Sequence, residues 1–199
     1  MKLISNIPII ANNIFIYKLD VNNDFTENFK QADYFQTPNN LKTYQSKNKN
    51  ILQAYPILQE EINKSVKDVI YNMYKYDCNF FITSSWLTRT LPSGISDDHC
   101  HSNNWLSGIY YPDYDPSFQT EFYNDYKDTF YVQPKEYNMF NCWKWTITPN
   151  KNTLIIFSSR LRHKALENKS SRDRYSLAFN LLPNGVFGND DSQVNFNLK

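Results

Sequence analysis

Glycine is scarce in this sequence, with four in 199 residues, and none stands in a loop of the P-loop or dinucleotide-binding kind. The usual backbone cradles for phosphate are therefore excluded. No apolar run reaches the roughly 18 residues that a membrane-spanning helix needs. The opening MKLISNIPIIANNIFIYKLD breaks its short apolar pieces with Asn and Pro and lacks a small-residue cleavage site, so it does not read as a signal peptide. An excess of one charge is also missing: 21 Lys+Arg stand against 20 Asp+Glu, a net charge of +1. Bulk nucleic-acid binding, which needs a basic face, has no support. The one local basic cluster is Arg160, Arg162 and Lys164. Cysteine is sparse and odd in number, and Cys78, Cys100 and Cys142 form no C-x-x-C pair. Buried, reduced thiols in a soluble cytoplasmic protein are the expectation.

What the chain does have is aromatic residues, 17% of the total with 15 Tyr and 14 Phe, which favours a β-rich core. Its length suits a single domain with one core. The segment from Ile14 to Leu19 reads as a strand, and the Asn- and Gln-rich stretch from about Asn22 to Asn50 as loop with short helical turns. A helix is expected from about Tyr55 to Tyr76, with Pro56 in its first turn, Glu60 and Glu61 near its positive end, and Leu58, Ile62, Val66, Val69, Ile70 and Met73 on one face. Strands follow at Phe80–Thr90, Trp105–Tyr111, Glu121–Tyr123, Thr129–Val132, Trp143–Thr148, Thr153–Ser158 and Arg174–Leu182. Short strands and polar turns behind a leading helix predict a mainly β fold with N-terminal α structure, a jelly-roll or barrel-like core with helical support. The expected layout is an N-terminal strand and helical layer over 1–78, the jelly-roll core over 79–185 and a C-terminal tail over 186–199.

The chemistry is concentrated in three histidines. His99 and His101 are one residue apart, so on a strand they share a face, with Cys100 on the other. His163 follows the apolar TLIIFS strand and the loop Ser159–Arg162. Two imidazoles on one face, joined by a third from a distant strand, are a common way of holding a single metal ion. Eleven residues past His163 comes Arg174-Tyr175-Ser176, where alternation puts Arg174 and Ser176 together. Beside a metal, that cation and hydroxyl suit the far carboxylate of a chelating dicarboxylate. Arg172 is the rival for this part. The four Trp residues read as core or rim, with Trp105 near the site entrance, and Asn103 and Arg160 are candidate substrate contacts.

The stretches SWLTRTLPSG, HCHSNNWLSGIYY, TLIIFSSRLRHKALEN and RDRYSLAFN, between about Trp86 and Pro183, resemble the Fe(II)- and 2-oxoglutarate-dependent oxygenases. The likeness is to prolyl-hydroxylase-like members and to their small microbial and phage branch. It implies a double-stranded β-helix (jelly-roll, cupin-like) with His99 and His163 as ligands of Fe(II). By the same resemblance Arg174 and Ser176 anchor 2-oxoglutarate, Tyr111 donates its hydroxyl to the same carboxylate, and Ile109 walls the cosubstrate. Tyr110 replaces Tyr111 if a bulge shifts the register.

The family's usual carboxylate position is held by His101, so the resemblance implies a three-imidazole site, one positive charge richer than the common form. Asp97 or Asp98 is the alternative third ligand. The implied activity is hydroxylation of a C–H bond with release of succinate and CO2, on a peptide or protein side chain or a small molecule, with O2 consumed and no membrane partner. Two other readings stay open: a three-His zinc or iron enzyme that ignores 2-oxoglutarate (a cupin-like dioxygenase or a hydrolase), and a non-catalytic jelly-roll binding protein. Substrate identity and oligomeric state lie outside what the residues imply.

Overall fold

The computed structural model describes residues 12–38, 40–123 and 132–198. Its frame is an antiparallel sheet built from strands far apart in sequence. β1 (Ile14–Lys18), β2 (Tyr34–Gln36) and β3 (Thr43–Ser46) come from the N-terminal region, and β4 (Asn79–Thr90) and β5 (Leu106–Tyr111) from the middle. After β6 (Thr120–Tyr123) and β7 (Lys144–Ile147) come β8 (Thr153–Ser158), β9 (Arg162–Ala165), β10 (Arg174–Phe187) and β11 (Val194–Phe196). The large sheet runs β1-β8-β5-β10-β4-β3-β2, with β11 folded back on β10, and a small sheet runs β7-β6-β9. Two antiparallel sheets in this order make the fold mainly β, a jelly roll with helices on one side.

Period-two alternation divides the large sheet into two faces. One face carries Leu87, Leu106, Tyr110, Leu154, Ile156, Leu177, Phe179 and Leu181, all buried against the helices. α1 (Phe25–Lys30) contributes Phe25 and Phe29, and α2 (Pro56–Lys67) contributes Leu58, Ile62 and Val66 at one-turn spacing. The helix continues through a wider π turn over Asp68–Met73 that adds Val69 and Ile70 to the same core. Glu60 and Glu61 do not lie in the first turn of α2; their carboxylates pair with Lys64 instead. Phe25, Phe29, Tyr55 and Tyr110 meet edge-on or nearly so, in the geometry that aromatic quadrupoles favour. Gly108 is required here, because a Cβ would sit 2.2 Å from the Phe179 ring.

The opposite face looks toward the small sheet. Tyr111, Ile155 and Phe157 pack there against Phe122, Ile147 and Leu161, with Ile109 at the margin. Beside this apolar patch the interior turns polar, as the next section describes.

Several expectations change. The stretch 22–50 is loop with the short helix α1, but it also holds the two strands β2 and β3, and β3 pairs with β4 through Thr43–Thr90 and Gln45–Thr88. His163 lies in a short strand of its own, β9, which begins at Arg162 and pairs His163 with Phe122. The His99–His101 segment is extended but is not a strand, touching β9 through the single bridge His99–His163. The expected tail carries the end of β10 and all of β11. None of the cysteines is buried, and all are free; Cys100 is exposed. Trp143 and Trp145 are exposed. The strand expected at Thr129–Val132 falls, apart from Val132, outside the described residues.

Candidate active site

Backbone pairing brings the three histidines together. His99 and His163 exchange both amide–carbonyl hydrogen bonds, at 3.0 and 2.9 Å, and the amide of His101 donates to Ser159 O at 2.8 Å. The segment before them is stitched to β9 by Ser96, whose amide donates to Ala165 O while its hydroxyl accepts from the Ala165 amide. The resulting ring centroids are 4.5 Å (His99–His163), 5.1 Å (His101–His163) and 5.2 Å (His99–His101) apart. One nitrogen from each ring lies within 4.8 Å of the others, and among the described residues this is the one such group of His, Cys, Asp or Glu atoms.

Each Nδ1 is engaged on the side away from the cluster. His99 Nδ1 bonds Asp97 O at 2.8 Å, His163 Nδ1 bonds Leu161 O at 2.9 Å, and His101 Nδ1 lies 2.6 Å from Asn180 Oδ1 and 2.9 Å from Ser107 Oγ. A carbonyl oxygen at Nδ1 fixes the proton there and leaves Nε2 with its lone pair, the form a metal ion takes. Burial also holds His163 well below the ordinary imidazole range, at about 3, and lowers His101, so both are neutral at neutral pH. The Asn180 amide oxygen serves Ser107 as well, and Ser107 touches Ser159 at 2.8 Å. This polar group sits beside a bulge: β10 pairs Asn180 with Ser84 but Leu181 with Ile82, and the skipped Thr83 donates to Asn180 O. On the far side the His163 ring packs against Phe157 and Phe122.

Asp98 turns outward to an ion pair with Arg162 at 2.9 Å, and neither Asp97 nor Asp98 belongs to the converging group.

Arg174 and Ser176 open β10 on the interior face, opposite Thr90 and Thr88. Arg174 is 3% exposed. Its Nη1 donates to Leu166 O at 3.1 Å, its guanidinium lies 6.0 Å from the Phe118 ring, and its Nη2 is buried with no partner among the described residues. Burial lowers its pKa, with Tyr111 close enough to oppose the shift. The loop ahead of it is pinned by buried Asn168, which donates to Thr90 O and Arg172 O. Arg172, the rival, is spent elsewhere on Asp113 and Tyr114 O, over the face of Phe118.

Tyr111 is on the interior face with its hydroxyl 2.5 Å from Thr120 Oγ1, while Tyr110 faces the helices and donates to Asn152. Ile109 lies two residues from Tyr111 on the interior side, paired with Ala178 and Ile155. Asn103 and Arg160 are exposed. Trp105 packs on Tyr76 and the helical core, away from the histidines. Trp86, read from sequence as core or rim, is half-buried, and its ring lies 5.6 Å from that of His101. Extending the alternation from Tyr111 and Ser176 would have found Ser107 and Asn180; no signal in the sequence places Trp86, Thr120 or Phe122 at the site.

A buried cation with an unused donor, on the face of β10 whose Asn180 touches His101, together with three converging imidazoles and no carboxylate among them, fits a dianionic ligand and a divalent metal. The comparisons agree. The family model “Putative 2OG-Fe(II) oxygenase” matches residues 84–180, the stretch from β4 to β10 that contains all these residues. That stretch, just under half of the chain, is similar to the Fe(II)- and 2-oxoglutarate-dependent oxygenases, a family that uses those two cofactors.

Among solved structures it is similar to HygX from Streptomyces hygroscopicus with nickel, 2-oxoglutarate and hygromycin B bound (11% identity, 86% of this chain and 83% of that one, TM-score 0.60). It is similar also to a prolyl hydroxylase from Trichoplax adhaerens in complex with a hypoxia-inducible-factor peptide (10%, 86% and 84%, 0.62). A third likeness is to a Pseudomonas putida prolyl-4-hydroxylase (11%, 88% and 95%, 0.59). At these identities the likeness is one of fold. No curated protein sequence matches.

Proposed function

We propose that this oxygenase holds Fe(II) through His99, His101 and His163, binds 2-oxoglutarate through Arg174, Ser176 and Tyr111, and hydroxylates a C–H bond of its substrate. The observation that carries the reading is the Arg174 guanidinium, buried with its Nη2 unsatisfied on the same interior face as the histidine cluster. A buried unpaired donor is costly, and a carboxylate that accepts from both guanidinium nitrogens removes the cost. With bound Fe(II) and 2-oxoglutarate the site gains the capacity to reduce O2, releasing succinate and CO2 and oxidising the substrate.

The residues of this chain do the rest. Asn180 and Ser107 fix the ring of His101, and the carbonyls of Asp97 and Leu161 fix those of His99 and His163. Phe122 and Phe157 keep water from His163. Ile109 gives the cosubstrate an apolar wall. His101 in place of a carboxylate leaves the metal with a higher positive charge, which strengthens its hold on an anionic cosubstrate. It also occupies the third protein position, so halogenation, which needs that place for chloride, is not expected. The substrate is a peptide or protein side chain or a small molecule, and the chain is read as one domain, 1–199, centred on residues 79–185.

The test is an anaerobic titration of the protein with Fe(II) and then 2-oxoglutarate, followed by admission of O2 and assay of succinate. Expected are a charge-transfer band that appears with 2-oxoglutarate and succinate in step with its loss. Retention of Zn(II) with no response to 2-oxoglutarate would replace this reading with the zinc enzyme.

A further inference from the structure

Beyond Trp86 from His101, on the rim of the interior face, is a cation with no carboxylate partner among the described residues. The amide of Ser85 donates to Lys49 O at 2.7 Å, which fixes the Lys49 backbone beside Trp86. The Lys49 ammonium donates to Gln45 Oε1 at 2.7 Å and lies 5.1 Å from the Phe35 ring and 5.8 Å from the Trp86 ring. Trp86 is thus shared: one ring neighbour is Lys49 and another is His101, 5.6 Å away. Among the described residues no carboxylate reaches Lys49, whereas Lys30, Lys47, Lys64, Lys144 and Lys164 each have one. Phe35, Gln45 and Thr88 follow one another across β2, β3 and β4, and Thr88 pairs with Ser176 on β10. The row therefore runs from the proposed cosubstrate anchor out to Lys49. Rings and a neutral amide hold an ammonium in place without neutralising it. Partial burial lowers its pKa without bringing any counter-charge.

We propose that Lys49, with Phe35 and Trp86 as apolar walls and Gln45 as a positioning partner, is a substrate subsite for a carboxylate, one ring away from the metal ligand His101. This rests on the reading of the histidine cluster given above. The carboxylate belongs either to a small acid or to an acidic residue of a peptide.

The test uses the full chain loaded with Zn(II) and 2-oxoglutarate, so that no turnover occurs and the Arg174 pocket is filled. Two matched pairs are titrated by calorimetry: N-acetylaspartate against N-acetylasparagine, and a pentapeptide with a central Asp against the same peptide with Asn. Expected is an acid-over-amide preference of about tenfold in at least one pair, from a charge-assisted contact at a partly open site. A preference in the first pair identifies a small acid, and one confined to the second identifies a peptide. Lys49→Ala and Lys49→Glu should abolish the preference, Lys49→Arg should keep it, and 2-oxoglutarate binding should be unchanged in all three. Equal binding of acid and amide in both pairs, or a preference that survives Lys49→Glu, overturns the proposal. Should the protein fail to take up Zn(II) and 2-oxoglutarate while the preference stands on the unloaded chain, the function proposed above falls and the Lys49 subsite does not.

Discussion

The two faces of β10 follow opposite rules. Toward the helices it presents Tyr175, Leu177, Phe179 and Leu181, all buried among rings and aliphatic side chains. Toward the small sheet it presents Arg174, Ser176, Ala178 and Asn180, which meet histidine, serine and threonine, and one guanidinium nitrogen there has no partner. The first face contributes stability through area removed from water. The second gives some of it back, since buried polar groups cost free energy unless they are paired. A strand in an ordinary two-layer core has no reason to carry such a face. Its presence marks where the molecule gives up stability for binding.

This contrast can be broken or sharpened by substitution. The largest expected effect is on the apolar side: Phe179→Ala should cost about 3–5 kcal/mol in denaturant unfolding, the usual loss for a large aromatic truncated in a core. A loss near zero would mean that the helical face is not the main source of stability. Arg174→Ala comes next. It should weaken 2-oxoglutarate binding by about 2–5 kcal/mol, roughly thirtyfold or more, as for one partner of a buried charged pair. Its unfolding midpoint without cosubstrate should not fall, because the variant loses a buried, half-satisfied cation. A midpoint that drops as it does for Phe179→Ala would put Arg174 among the structural residues.

Gly108→Ala should cost about 1–3 kcal/mol by overpacking against Phe179, with cosubstrate affinity unaltered in the protein that still folds. Smallest in stability but specific in kind is Asn180→Ala, which should lower metal affinity by about 10–100-fold through loss of the group that orients His101. Unchanged metal affinity in that variant would remove Asn180 from the metal's surroundings.

Much of the large sheet was legible in the chain, and the reason is local. β4, β8 and β10 are long, aromatic or continuously apolar, and the α2 stripe repeats every turn. β2, β3 and β9 were not legible, because each is three or four residues long and carries mixed polar side chains. Their extended form comes from neighbours that only the folded chain supplies, as when Thr43 meets Thr90 and His163 meets Phe122. The site shows the same division. His99, His101, His163 and Arg174 stood out by residue type and spacing. Asn180 and Ser107 were within reach only by carrying the alternation on from Ser176 and Tyr111, and nothing in the sequence placed Trp86 there. Trp105, expected at the entrance, went to Tyr76 instead, which alternation along β5 alone could not foresee.

The residue skipped at Thr83 has a consequence for how this protein can change. Every second side chain of β10 belongs to the polar interior side, so deleting or inserting one residue within Arg174–Asn180 would invert the part of the strand on one side of the change. A change between Arg174 and Leu177, with the later pairing kept, would turn Arg174 toward the helices; one between Phe179 and Asn180, with the earlier pairing kept, would turn Asn180 away from His101. The partner strand β4, by contrast, has already absorbed one extra residue and kept its alternation on both sides of it. Length variation in relatives of this protein should therefore gather in β4 near Thr83 and in the connecting loops, and be absent from the first half of β10.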